Sequence, residues 1–149
     1  MTSGDPQSKT RDGISLFNQA DFAGMHKAGA LAARILDEIC DLVEPGQTTG
    51  VLNEAIEAKV NAAGATSATI GYRGYQHASC ISVNHVVCHG IPSDKQLKDG
   101  DILNIDVTVI VDGWFGDTSR MYVAGGKPSI KSARLIQVTH DALMLGIEA

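Results

Sequence analysis

Several things are scarce in this sequence, and each scarcity excludes something. No apolar run approaches the roughly 18 residues that span a membrane, and the opening stretch Met1 to Arg11 is polar. A membrane-spanning helix is therefore excluded, and no signal peptide is expected. Cysteine is limited to Cys40, Cys80 and Cys88. Three thiols cannot all pair, and none has C-x-x-C spacing, so neither a disulfide framework nor a common zinc signature is present. With no secretion signal, the expected compartment is the reducing cytoplasm. Basic residues are outnumbered, 12 Lys and Arg against 17 Asp and Glu, for a net charge of −5. That balance disfavours a specific nucleic-acid partner and an anionic membrane surface. Internal repeats and low-complexity blocks are absent as well.

What remains is one domain's worth of chain, 149 residues and 44% hydrophobic, enough to build a core without staples. Residues 1–18 read as a flexible tail, and the domain as 19–149. From there Phe22, Met25, Gly29, Ala32, Leu36, Ile39 and Val43 recur at helical spacing. Glu44-Pro45-Gly46 ends that helix, because proline cannot continue it. Thr48 or Thr49 can cap a second helix carrying Leu52, Ile56 and Val60, which should stop near Gly64.

Beyond Gly64 the pattern changes. Ser79–Val83 and Val86–His89 read as short strands around Asn84-His85. Ile102 to Val111 alternates strictly, with Leu103, Ile105, Val107, Val109 and Val111 on one face and Asn104, Asp106 and Thr108 on the other. Asp112-Gly113 is a strong hairpin signal, and Trp114–Val123 is the return strand. Pro128-Ser129 opens a third helix with apolar Ile130, Ala133, Ile136, Leu143 and Leu145. The order predicts an α+β domain with antiparallel pairing.

The hairpin places chemistry. A two-residue turn at Asp112-Gly113 sets Val111 opposite Trp114, Asp106 opposite Ser119 and Thr108 opposite Asp117. Asp106 and Asp117 are then diagonal neighbours on one face. Two converging carboxylates repel and resist desolvation, and a divalent cation removes both costs. The alternative is a solvated polar face with Asp117 paired to Arg120 or Lys127. A turn at Asn84-His85 would set Cys80 opposite His89. That imidazole could ligate a metal, hydrogen-bond a substrate amide, or serve only as a strand residue. Cys80, Cys88 and His89 leave a zinc site or a Cys nucleophile open on residue types alone. Tyr72 and Tyr75 flank Gly74 and could wall an apolar pocket or simply pack their loop.

Four stretches carry a resemblance. They are Gly71-Tyr72-Arg73-Gly74-Tyr75, Ser82 through Pro92 (Ser-Val-Asn-His-Val-Val-Cys-His-Gly-Ile-Pro), Leu97 through Val109, and Gly116-Asp117-Thr118-Ser119-Arg120. Together they resemble the type I methionine aminopeptidases over roughly Ala20 to Ala149. The resemblance implies the N-terminal half of a pita-bread (creatinase/aminopeptidase) fold, an antiparallel curved sheet with helices on its outer face. It implies removal of the initiator methionine from nascent polypeptides, with two divalent metal ions (Co, Mn, Fe, Zn or Ni) as cofactors and association with the ribosome. By the same resemblance Asp106 would hold one ion and Asp117 would bridge both. His89 would be catalytic, bonding the substrate near the scissile amide, and Tyr72, Tyr75 and Cys80 would receive the methionine side chain. Thr69 stands where many bacterial relatives carry cysteine. The family's remaining ligands, one His and two Glu, and its second active-site His have no matching position here. His140 and Glu148 fall outside the family's motifs. An inactive or partial fragment is therefore expected, with both ions incompletely liganded. A non-catalytic interaction protein of the same fold is the alternative, and a proline-specific peptidase of that fold a third.

Overall fold

A computed structural model describes residues 8–149. Residues 1–7 of the expected tail lie outside the described residues. Within the rest of that stretch β1 (Ser8–Lys9) pairs antiparallel with β2 (Ser15–Leu16). The ring of Phe17 meets Trp114 edge-on, with centroids 5.9 Å apart.

Helix α1 spans Gln19–Glu38 and is started by a reciprocal cap. Asn18 Oδ1 accepts from the Ala20 and Asp21 N–H groups, and Asp21 accepts from the Asn18 N–H. These bonds satisfy donors that a helix start otherwise leaves unpaired. A single 3₁₀ turn, Cys40–Leu42, follows and releases the chain before Pro45. Helix α2 is Thr49–Ala62, capped by the Thr48 hydroxyl, which accepts from Val51 N–H at 3.2 Å.

The main sheet has β5 (Ile102–Val111) at its centre. On one side β5 pairs with β6 (Trp114–Val123), and on the other with β4 (Ser79–Val83) and the short β3 (Thr66–Ser67), all antiparallel. The β5–β6 turn has φ of 51° at Asp112 and 86° at Gly113, the double left-handed geometry that two-residue hairpins favour. The expected register holds without a bulge: Val111 faces Trp114, Thr108 faces Asp117 and Asp106 faces Ser119. Helix α3, Ile130–Glu148, is capped by Ser129 and buries none of its residues.

One face of the sheet is the core. Leu103, Ile105, Val107 and Val109 of β5 are buried against Ile35, Leu36 and Ile39 of the first helical segment and Leu52, Ile56 and Val60 of α2. Each such side chain contributes about 1.5–3 kcal/mol when fully buried. Both helices therefore back the sheet on one side and leave the Asp106 face open. Tyr122 closes the core's edge by donating its hydroxyl to Leu36 O at 2.6 Å.

Two expectations need correction. The buried stripe of α1 is Ala28, Leu31, Ala32, Ile35 and Leu36, whereas Phe22 and Met25 are exposed. The cause is close approach of backbones: a Cβ on Gly116 of β6 would lie 2.2 Å from Ala28 O. Only small residues fit there, so Gly24 and Ala28 face the sheet and the larger side chains turn outward. Second, Val86–His89 is not a strand, and Cys80 pairs with Asp106 rather than with His89. The Asn84 side chain instead bonds Asp101 at 2.8 Å and the Ile102 N–H at 3.1 Å, from a left-handed backbone with φ of 54°. The segment becomes an irregular loop.

Candidate metal centre

The open face of the sheet is built from alternate residues of three strands. Cys80 on β4 stands opposite Asp106 on β5, and Asp106 stands opposite Ser119 on β6. One step along, Thr108 faces Asp117, and its hydroxyl donates to Asp117 Oδ1 at 3.1 Å. The two aspartates thus share the face as diagonal neighbours.

Two local devices aim the flanking residues. Asn53 of α2 is buried, and its Oδ1 accepts from Ala78 N–H, Ser79 N–H and Ser79 Oγ at 2.9–3.1 Å. This pins the start of β4 and so positions Cys80. His89 sits on a left-handed backbone, φ 53°. Gly90 holds that loop against β4: its carbonyl accepts from Ile81 N–H at 2.8 Å and its N–H donates to Ser82 Oγ at 3.1 Å. A Cβ on Gly90 would lie 2.1 Å from Ile81 O, so only glycine permits the approach.

These elements enclose an open cleft of about 650 Å³. Tyr72, Tyr75, Cys80, His89, Asp106 and Asp117, each singled out in the sequence, all line it. Ala68, Thr69, Arg73, Gly74, Thr108 and Phe115 complete the lining. Phe115 escaped the sequence reading, although strand alternation places it on the Asp117 side. Asn53 escaped too, because a polar residue on a buried helix face has no signature of its own.

Burial pushes the Asp106 carboxyl above the usual carboxylate range, the Asp117 charge pushes it further, and His89 opposes both. Among the described residues neither aspartate has an ion-pair partner. Of the two cations the solvated-face reading offered, Arg120 pairs with Asp37 instead, and Lys127 makes no ion pair with Asp117 among the described residues. The donor chemistry fits a hard divalent cation, because two carboxylates converge there and burial already disfavours the ionised form of Asp106. The set is short, however: no group of three or more His, Cys, Asp or Glu able to hold a metal exists among the described residues.

Cys80 and Tyr75 bring no charge to the cleft. Burial raises the Cys80 thiol above its ordinary value, against the lowering effect of the Tyr75 hydroxyl beside it. Burial likewise raises Tyr75, whose hydroxyl donates to Ser79 O at 2.9 Å. A nucleophilic cysteine needs a depressed pKa, so Cys80 does not fit that role. An un-ionised thiol and phenol make an apolar wall.

Fold and site define a helix-backed antiparallel sheet with paired carboxylates on its open face, the architecture of one half of a pita-bread hydrolase. The chain belongs to metallopeptidase family M24, whose family model matches residues 23–149. A curated methionine aminopeptidase from Rickettsia prowazekii (strain Madrid E) is 54% identical over 135 residues, covering 91% of this chain and 52% of that relative. The crystal structure of methionine aminopeptidase from Rickettsia prowazekii superposes with a TM-score of 0.86 at 53% identity, covering 88% of this chain and 52% of that one. The prolidase from Pyrococcus horikoshii OT3 superposes with a TM-score of 0.77 at 19% identity, over 89% of this chain and 36% of that one, and shares the fold alone. The chain spans about half the length of the curated relatives it matches.

Proposed function

We propose that the whole protein is a metal-dependent aminopeptidase that removes the initiator methionine from nascent polypeptides in the cytoplasm, beside the ribosome. The observation that carries this reading is the single cleft lined by Asp106, Asp117, His89, Cys80, Tyr72 and Tyr75, in a chain 54% identical to a methionine aminopeptidase. Residues 19–149 form half of the catalytic domain. Asp106 and Asp117 would hold divalent metal on this face. Bound there, such ions supply Lewis acidity toward an amide carbonyl and toward water.

The chain's own residues do the rest. Tyr72, Tyr75 and Cys80 take the unbranched, polarizable methionine side chain against an uncharged wall. That placement sets the first peptide bond over the aspartates. His89, which lines the same cleft, bonds the amide near the scissile bond and fixes its orientation. A pure interaction protein has no use for a half-buried, unpartnered Asp106, which argues against that alternative.

The 149 residues alone hold too few ligands and are expected to be inactive or partly active. The test compares this chain with the product of its whole reading frame, each with excess Co(II) or Mn(II), on a Met-Ala peptide. Release of methionine by the whole product alone supports the reading. Release by the 149-residue chain at a comparable rate contradicts the ligand shortage, and no release by either contradicts the function.

A further inference from the structure

Arg73 stands at the mouth of the cleft on a backbone that suits it poorly. Its φ is 49°, left-handed for a residue with a Cβ, between Gly71 at 86° and Gly74 at 83°. The loop is stitched by main-chain bonds and by the Gln76 side chain, whose Nε2 donates to Gly74 O at 2.9 Å. Gly71 N–H donates to Tyr75 O at 2.8 Å, Tyr72 N–H to Thr69 O at 3.1 Å and Tyr75 N–H to Tyr72 O at 3.0 Å. Nothing in this stitching uses the arginine side chain, and a glycine would meet the backbone demand with less strain. The guanidinium instead lies 5.5 Å from the centroid of the Tyr72 ring, which is 65% exposed. Such stacking orients a guanidinium while leaving its N–H groups available.

Charge sharpens the point. Arg73 is the one Lys or Arg among the described residues that line the cleft, and it makes no ion pair among the described residues. A peptide whose first side chain sits against Tyr72, Tyr75 and Cys80 must leave the cleft over its exposed rim. Arg73 forms part of that rim. We propose that Arg73 selects substrates by charge, favouring peptides with an acidic side chain downstream of the N-terminal methionine. This rests on the aminopeptidase reading above and adds a specificity to it.

The experiment uses the product of the whole reading frame, metal-loaded, with C-terminally amidated Met-Ala-Asp and Met-Ala-Lys, so that only the side chain differs in charge. The wild type should favour the Asp peptide in kcat/KM by about threefold, the size expected of one solvent-exposed ion pair. The preference should shrink toward unity at about 0.5 M salt. Arg73→Glu should reverse it. Arg73→Gly should abolish it while melting no lower than the wild type, because glycine relieves the left-handed strain. An unchanged Asp-to-Lys ratio in both variants overturns the proposal. So does a marked loss of stability in Arg73→Gly, which would make the arginine a structural residue. Failure of the underlying reading looks different: the wild type would then turn over neither peptide, and the charge selection falls with it.

Discussion

Asp106 faces Cys80 across β5 and β4, so a half-buried carboxylate and a half-buried thiol stand side by side on the open face of the sheet. The thiol stays neutral there, and the carboxylate carries a like charge from Asp117 that His89 opposes. This pairing divides the cleft into an apolar end that suits a methionine side chain and an acidic end that suits metal.

The contact between β6 and α1 makes Gly116 sensitive. Gly116→Ala would drive a Cβ to 2.2 Å from Ala28 O, a backbone atom that cannot rotate away. Overpacking of this kind costs about 1–3 kcal/mol, and α1 must shift. Chemical denaturation should show a lower midpoint with an unchanged slope. Gly29→Ala in α1 is the control, because its backbone is not left-handed and nothing lies within 4 Å of an added Cβ.

How far the sequence reveals this architecture depends on what decides each element. The β5–β6 register is local, set by a two-residue turn and strict alternation, and it brings Asp106 and Asp117 together as expected. The loop carrying His89 is not local. Its path depends on Asn84 bonding Asp101 and Ile102, 17 and 18 positions away, so the expected strand never forms. The face of α1 was misplaced at its start because periodicity counts large apolar residues, and the deciding contact there is between Ala28 and Gly116, which have almost no side chain. Tyr72, Tyr75, Cys80 and His89 were individually ambiguous as residue types, and only the folded sheet shows that they share one cleft. Phe115 was within reach, since it is two residues from Asp117 on the same strand.

Tyr122 gives a pH-dependent signature. Burial pushes its phenol up to about 12 from the ordinary 10. The neutral form is the one favoured in the fold, because it donates to Leu36 O at 2.6 Å. Its contribution is therefore complete below about pH 10 and is lost as pH rises toward 12. Tyr122→Phe should cost about 1 kcal/mol at neutral pH. The difference in denaturation midpoint between wild type and variant should then narrow through that alkaline window. A constant difference would mean that Tyr122 does not ionise from the folded state as described.

The central claim is that Asp106 and Asp117 form the metal-holding floor of an aminopeptidase cleft. Its most direct test measures methionine release from a Met-Ala peptide by mass spectrometry. The protein is the product of the whole reading frame, as wild type and as Asp106→Asn, each with Mn(II) or with chelator. The account predicts release by the metal-loaded wild type and none in chelator. It predicts a loss of at least about 100-fold in Asp106→Asn, with the metal-free variant melting no lower than the metal-free wild type because a desolvated like charge is gone. Equal release in chelator, or an Asp106→Asn protein that retains wild-type turnover, would contradict it.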